Sequence, residues 1–306
     1  MNNQLVSVII PTYKRSDFLC ATIDSVLAQT YPNIEIIVVD DNGVGTSYQK
    51  ATELKLRSYI DTGKIIYICH DANKNGSAAR NTGFRASHGE YINFLDDDDE
   101  LMPCKIEMQV NRLANTDGTI GATYCNAKTI RIKGVINKKI EKITNYSQEG
   151  NILKEYLLSK CCFNTSAILI KRHVIVELQG FDESYYRHQD VEFMTRFFED
   201  YEIVCTGLMP LLKYDISKDR GNVSSCEKDY RIKEKFLWQF KPLFSSLGIN
   251  DDVCHHFWFS CAANAVRYRN YEIFIKAREQ MKLHGKLTLN EGKTLLKRFC
   301  VSLLTP

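Results

Sequence analysis

Five consecutive acidic side chains, Asp96-Asp97-Asp98-Asp99-Glu100, form the densest chemical feature of this chain. Like charges so close disfavour one another's ionised forms unless a cation or solvent relieves them. Hard divalent cations take oxygen ligands, and magnesium-type sites join one or two carboxylates to substrate phosphates. The apolar stretch Tyr91-Ile92-Asn93-Phe94-Leu95 runs directly into the cluster. The carboxylates are therefore expected at the end of a buried strand, where they suit a metal held against a diphosphate. The alternative is a solvated acidic turn that caps a helix beginning near Pro103.

Three other clusters carry chemistry of the same kind. Asp40-Asp41 closes the apolar run Ile34–Val39. A carboxylate there reads a base or ribose in many α/β sheets, or simply makes an Asp turn, the reading favoured for Asp40. Asn75-Gly76-Ser77-Ala78-Ala79-Arg80-Asn81 opens a helix with small residues that allow close packing. Its Arg80 offers a planar donor fork for phosphate, carbonyl or carboxylate, or lies on an exposed face. His188-Gln189-Asp190-Val191-Glu192 precedes a helical stretch. Asp190 there is either an N-cap or a general base for an attacking hydroxyl.

The elements that must position these residues alternate between two periodicities. Val6–Ile10, Ile34–Val39, Ile65–Ile68 and Tyr91–Leu95 read as short buried strands, and Phe163–Ile170 as a later one. Leu19, Ile23, Val26 and Leu27 recur at helical spacing, with Ser16-Asp17 offering an N-cap. Further helices are expected from about Ser77 to Ala86, after Pro103, and from Val191 to Tyr201. Strands alternating with helices imply an α/β fold, with a mostly parallel sheet covered on both faces. Ligands then sit beyond the carboxyl ends of the strands, where Tyr13, Asp40-Asp41 and Asp96–Asp99 fall. Residues 131–149 read as a polar hairpin or loop. After about Ser225 strand signals fade and aromatic-rich helical segments take over. The expected division is an α/β domain at 1–225, in two halves at about 1–100 and about 101–225. A helical region follows at 226–306.

Composition excludes several classes. The 306 residues are 44% hydrophobic and 25% charged, with a formal net charge of +3. That charge is too small, and too little interleaved with aromatics, to argue for nucleic acid. The 11 cysteines are scattered and lack Cys-x-x-Cys spacing, which speaks against both a disulfide framework and a zinc site. With no signal-like N-terminus and no apolar run near the ~20 residues that cross a bilayer, a cytoplasmic protein with reduced thiols is expected. In the tail, Lys276, Arg278, Lys282, Lys286, Lys293, Lys297 and Arg298 accompany Phe299, Val301, Leu303 and Leu304. Such a basic amphipathic segment either lies on an anionic membrane face or packs as a solvated helix.

Taken in order, these segments resemble glycosyltransferase family 2, inverting enzymes with the GT-A fold, a Rossmann-like mixed sheet flanked by helices. The resemblance runs from Ser7 to about Ser225, and it implies that 1–225 is a catalytic domain with a nucleotide-sugar half (about 1–100) and an acceptor half (about 101–225). It rests on Ser7-Val8-Ile9-Ile10-Pro11-Thr12-Tyr13-Lys14-Arg15, Ile36–Asp41, Asn75–Gly83, Tyr91–Asp99, and Gly180-Phe181-Asp182-Glu183 followed by Gln189-Asp190. It implies a nucleotide site from Pro11, Tyr13, Asp41, Arg80, Asp96 and Asp97, with Tyr13 against a uracil ring and Asp41 accepting its imide N–H. It implies Mn²⁺ or Mg²⁺ on Asp98 and Asp96, and Asp190 as the base. The register of Asp96 and Asp97 is open by one position.

The implied substrates are a UDP-sugar donor and a glycan or lipid-linked glycan acceptor, as in capsule, O-antigen or lipooligosaccharide synthesis. The chain departs from the family pattern in two places. Gln189 stands where Glu is frequent, and Ser217 where a histidine often follows a late strand. The Gln-x-x-Arg-Trp motif of processive synthases is absent, which favours transfer of one sugar at a time. Two other classes compete. A non-catalytic nucleotide-sugar or glycan binder would bind donor without turnover. A sugar nucleotidyltransferase needs a Gly-rich loop after the first strand, where Pro11–Arg15 has no glycine.

Overall fold

A computed structural model describes residues 4–133, 138–215 and 225–304. The chain runs β1 (Val6–Thr12), α1 (Ser16–Leu27), β2 (Ile34–Asp40), α2 (Ser47–Asp61), β3 (Ile66–Cys69), α3 (Gly76–Ala86) and β4 (Tyr91–Phe94). It continues with β5 (Asp99–Leu101), α4 (Lys105–Ala114), β6 (Ile120–Lys133), β7 (Lys138–Ile143), α5 (Leu153–Leu157), β8 (Ile168–Lys171), α6 (Arg172–Glu177), α7 (Gln189–Asp200) and β9 (Glu202–Asp215). Five helices follow: α8 (Cys226–Gln239), α9 (Lys241–Ser246), α10 (Asn250–Arg267), α11 (Tyr271–His284) and α12 (Leu289–Leu304).

Among the described residues the strands make one sheet in the order β3-β2-β1-β4-β8-β6-β9-β5, with β7 beside β6. The first four strands are parallel to one another. Strand β8 runs antiparallel to β4 and β6, and β5 antiparallel to β9, which makes the sheet mixed. Val6, Val8, Ile9 and Ile10 are fully buried, as a strand covered on both faces requires. The register pairs Thr12 with Asp40 and Ile9 with Phe94. The chain therefore leaves β1, β2 and β4 at one edge of the sheet, carrying Tyr13, Asp41 and Asp96 there. Helix α3 packs closely on this region because Gly83 has no side chain: a Cβ there would lie 2.3 Å from the Ile9 Cγ2.

Several local expectations change. Helix α1 starts at Ser16 with Arg15 in the cap position, and no side chain caps it. The Phe163–Ile170 strand is shorter than expected, since Thr165–Ala167 forms a 3-10 turn ahead of β8. The 131–149 stretch includes β7, hairpin-paired with β6. The acidic run caps no helix: Asp99 begins β5 and pairs with Tyr214. Helix α4 starts at Lys105, behind a Cys104 that makes no side-chain cap bond. Lys105 itself is wholly buried, and burial pulls its amine down to about 8. Its neighbour Cys125 is buried too, which pushes the thiol up to about 11.

The chain divides into two compact units, Met1–Leu153 with Cys161–Arg220, and Lys154–Lys160 with Gly221–Pro306. The second unit is helical. Phe236 and Phe257 stack at 5.1 Å in its interior, and the buried Lys233 and Asp229 pair at 3.0 Å. Thr288 and Glu291 cap α12 reciprocally, each backbone N–H meeting the other's side chain. Among the described residues no helix is long and apolar enough to cross a membrane.

Candidate active site

The acidic run is held from several sides, with arginines the first partners. Arg15 reaches Asp97 at 2.8 Å and Asp98 at 3.0 Å, and Arg80 reaches Asp96 at 2.7 Å. Thr12 donates its hydroxyl to Asp97 at 2.7 Å, and Asn164 donates to Asp99 at 3.0 Å. Asp97, Asp98 and Asp99 are buried, whereas the Asp96 side chain stays 26% exposed. Burial pushes the Asp97 carboxyl up to about 7, and the Asp98 and Asp96 charges add to this against the pull of Arg15 and Thr12.

Arg80 is nine-tenths buried and its guanidinium spans two elements. One terminal nitrogen donates to Asp96, and the other donates to Gln189 at 2.8 Å. The same helix clamps the turn at Gly180–Glu183. Asn81 accepts from the Phe181 N–H at 2.9 Å and donates to the Phe181 carbonyl, while Asn75 donates to the Glu183 carbonyl. Gly180 takes φ +74°, and a Cβ there would meet the Asn81 Oδ1 at 2.5 Å, so the turn requires glycine. Two segments about a hundred residues apart in sequence are thereby fixed side by side.

Asp190 is not the N-cap. His188 holds that position in a left-handed conformation, without a side-chain cap bond, and Asp190 is the second residue of α7. It stands half-buried in the first turn beside Glu192, where the helix dipole favours negative charge.

On the β1–β2 side, Tyr13 is half-buried and Lys14 lies over its ring at 4.9 Å and over Tyr48 at 5.2 Å. Pro11 lies past the end of the β1–β4 pairing at Ile9 and pairs with Val39 of β2, one residue before the last pair, Thr12 with Asp40. Asp40 makes the expected turn, accepting from the Asn42 N–H at 2.8 Å. Asp41 sits where it was expected, yet its carboxylate is heavily used. His70 and the Lys74 N–H meet one oxygen, and Asn73 and the Asn75 N–H meet the other, all within 2.9 Å. A base N–H that reaches Asp41 must displace one of these donors, and the exposed Asn73 amide is the most easily moved.

Arg15, Thr12 and Asn73 are given no role in the sequence reading, and Gln189 enters it only as a departure from the family pattern. Arg15 was visible only as the end of the Tyr13 loop, and its partners lie more than eighty positions away. Ser217 lies outside the described residues.

Among the described residues no three His, Cys, Asp or Glu side chains converge to hold a metal. The pair Asp96 and Asp98 nevertheless suits a hard divalent cation, because such ions complete their shell with water and substrate phosphate oxygens.

The family model described as Glycosyl transferase family 2 matches residues 7–174. This chain belongs to that family. It is 30% identical over 193 residues to the amylovoran biosynthesis glycosyltransferase AmsB of Erwinia amylovora, covering 62% of each chain. It is 33% identical over 146 residues to WfgD of Escherichia coli, named a UDP-Glc:alpha-D-GlcNAc-diphosphoundecaprenol beta-1,3-glucosyltransferase, covering 47% of this chain and 54% of that one. Among solved structures it resembles the mannosyltransferase PcManGT of Pyrobaculum calidifontis in complex with GDP-Man and Mn²⁺. The TM-score there is 0.59 at 18% identity, covering 99% of this chain and 81% of that one, which supports the GT-A fold. The chain spans about six tenths of the length of several curated relatives it matches.

Proposed function

We propose that this glycosyltransferase moves one sugar at a time, with inversion, from a UDP-sugar to a hydroxyl of a glycan or lipid-linked glycan in surface-polysaccharide synthesis. The observation that carries this reading is the Arg80 bridge, which ties the donor-side Asp96 to Gln189, next to Asp190. Donor carboxylates and a base thereby share one scaffold. The names of WfgD and AmsB support the donor and the type of pathway.

In this mechanism Asp190 takes the proton of the acceptor hydroxyl as its oxygen attacks the anomeric carbon. The bond from that carbon to the diphosphate breaks, UDP leaves, and the new linkage has the opposite configuration. Tyr13 supports the base by stacking, Pro11 shapes the strand end below it, and Asp41 meets the imide once Asn73 moves aside. Asp96 or Asp97 meets the ribose. Arg80 orients Asp96, and Arg15 orients Asp97 and Asp98. Asp96 and Asp98 would hold Mn²⁺ or Mg²⁺, which when bound supplies charge neutralisation to the departing diphosphate.

A screen of UDP-sugars for slow hydrolysis tests this reading, because water substitutes for an unknown acceptor. Turnover of at least one UDP-sugar is expected. Tight UDP binding with no hydrolysis of any of them would instead support a non-catalytic binder.

The second unit suits a lipid-linked acceptor. On α12, Leu289 is 85% and Leu296 64% exposed, Phe299 is also exposed, and Lys293 and Lys297 flank them. An exposed apolar stripe bordered by lysines fits the surface of an anionic bilayer. Phosphatidylglycerol vesicles should sediment the protein at low salt and phosphatidylcholine vesicles should not. Leu289→Asp with Leu296→Asp should abolish the co-sedimentation. Equal co-sedimentation of this double variant would remove α12 as the contact.

A further inference from the structure

We propose that Gln189 is a positioning residue that fixes the first turn of α7, and Asp190 with it, to the donor side of the site. The inference rests on the reading above. The Gln189 amide is used at both ends: its oxygen accepts from Arg80 at 2.8 Å, and its nitrogen donates to the Tyr185 carbonyl at 3.0 Å. Those two contacts leave one orientation for the amide and therefore one placement for the residue after it. Arg80 cannot shift to compensate. Its other terminal nitrogen is engaged by Asp96, it is nine-tenths buried, and it lies over the Phe181 ring at 5.5 Å. Phe181 in turn stacks on Phe193 of α7 at 4.6 Å. Helix α7 is thus tied to Arg80 by a polar contact through Gln189 and an apolar one through Phe181.

The choice of an amide follows from the same contacts. A glutamate would keep the Arg80 bond but would set a carboxylate oxygen against the Tyr185 carbonyl. It would also share with Asp96 a guanidinium that Asp96 now holds alone as an ion pair. A neutral residue positions the base and leaves the arginine's charge to the donor side.

The test compares Gln189→Met, which keeps length and loses both contacts, with Gln189→Glu, which keeps the Arg80 contact. UDP-glucose hydrolysis is expected to lose roughly tenfold in kcat in the Met variant, with KM within about twofold of the parent. The Glu variant should recover to within about threefold of the parent. In the ligand-free protein, hydrogen exchange at the Glu192 and Phe193 amides should speed up in the Met variant and stay near the parent rate in the Glu variant. A Met variant with parental kcat, a change confined to KM, or a Glu variant as slow as the Met variant would each overturn the inference. If the parent hydrolyses no UDP-glucose, the donor assignment fails for that sugar. The exchange rates then decide the positioning role without it.

Discussion

Asp190→Asn is expected to cut hydrolysis of a UDP-sugar at least about a hundredfold while leaving UDP affinity within about twofold, since a positioned general base contributes 10²–10⁴. The substitution preserves size and removes only the capacity to take a proton. Asp190 is the second residue of α7, so its charge also interacts with the helix dipole, and losing it costs about 0.3–1 kcal/mol of stability. That cost shifts a melting temperature by a few degrees and leaves the protein folded at assay temperature. Calorimetry with UDP separates the effects, because the nucleotide contacts proposed here involve the ends of β1, β2 and β4 and not α7. Turnover equal to the parent's would remove Asp190 as the base. Loss of UDP binding along with turnover would instead assign it to the donor site.

Much of this arrangement was legible in the sequence, and the part that was not has a common physical reason. Buried parallel strands announce themselves as continuous apolar runs, and each run here ends in a polar cluster, so β1, β2 and β4 and their polar ends could be placed. Helix α2 was not, because its only buried residues are Gln49, Thr52 and Leu56, too thin a stripe to register as an amphipathic pattern. Strand β5 is three residues long and exists through its pairing with β9 more than a hundred positions away. The cap of α1 was misjudged by one residue, as Ser16 already lies inside the helix. The partners of the acidic run were illegible for the same reason as β5. Nothing local to Arg15 or Gln189 signals a carboxylate or a guanidinium brought in by tertiary folding. The resemblance supplied the roles proposed for the aspartates, and the structure supplied what holds their side chains.

UDP should bind at least about tenfold more tightly with Mn²⁺ present, a difference of about 1.4 kcal/mol, and Asp98→Ala should erase that gain. Asp98 is 2% exposed and already meets Arg15 at 3.0 Å, so a cation arriving there competes with a guanidinium. The free ion is therefore expected to bind weakly. Once a diphosphate adds its own oxygens and charge, the ion gains ligands that Arg15 cannot replace, so metal and nucleotide should strengthen each other. Asp96, the most exposed of the four aspartates and engaged by Arg80 through one oxygen, is placed to be the first ligand met. The linkage is reciprocal: UDP must tighten Mn²⁺ by the same factor that Mn²⁺ tightens UDP. Titrations run in both orders on the parent and on Asp98→Ala check this, with melting curves confirming that the variant is folded. Metal-independent UDP binding by the parent would leave the carboxylates as partners of Arg15 and Arg80 alone. The departing diphosphate would then have to be neutralised by those two arginines.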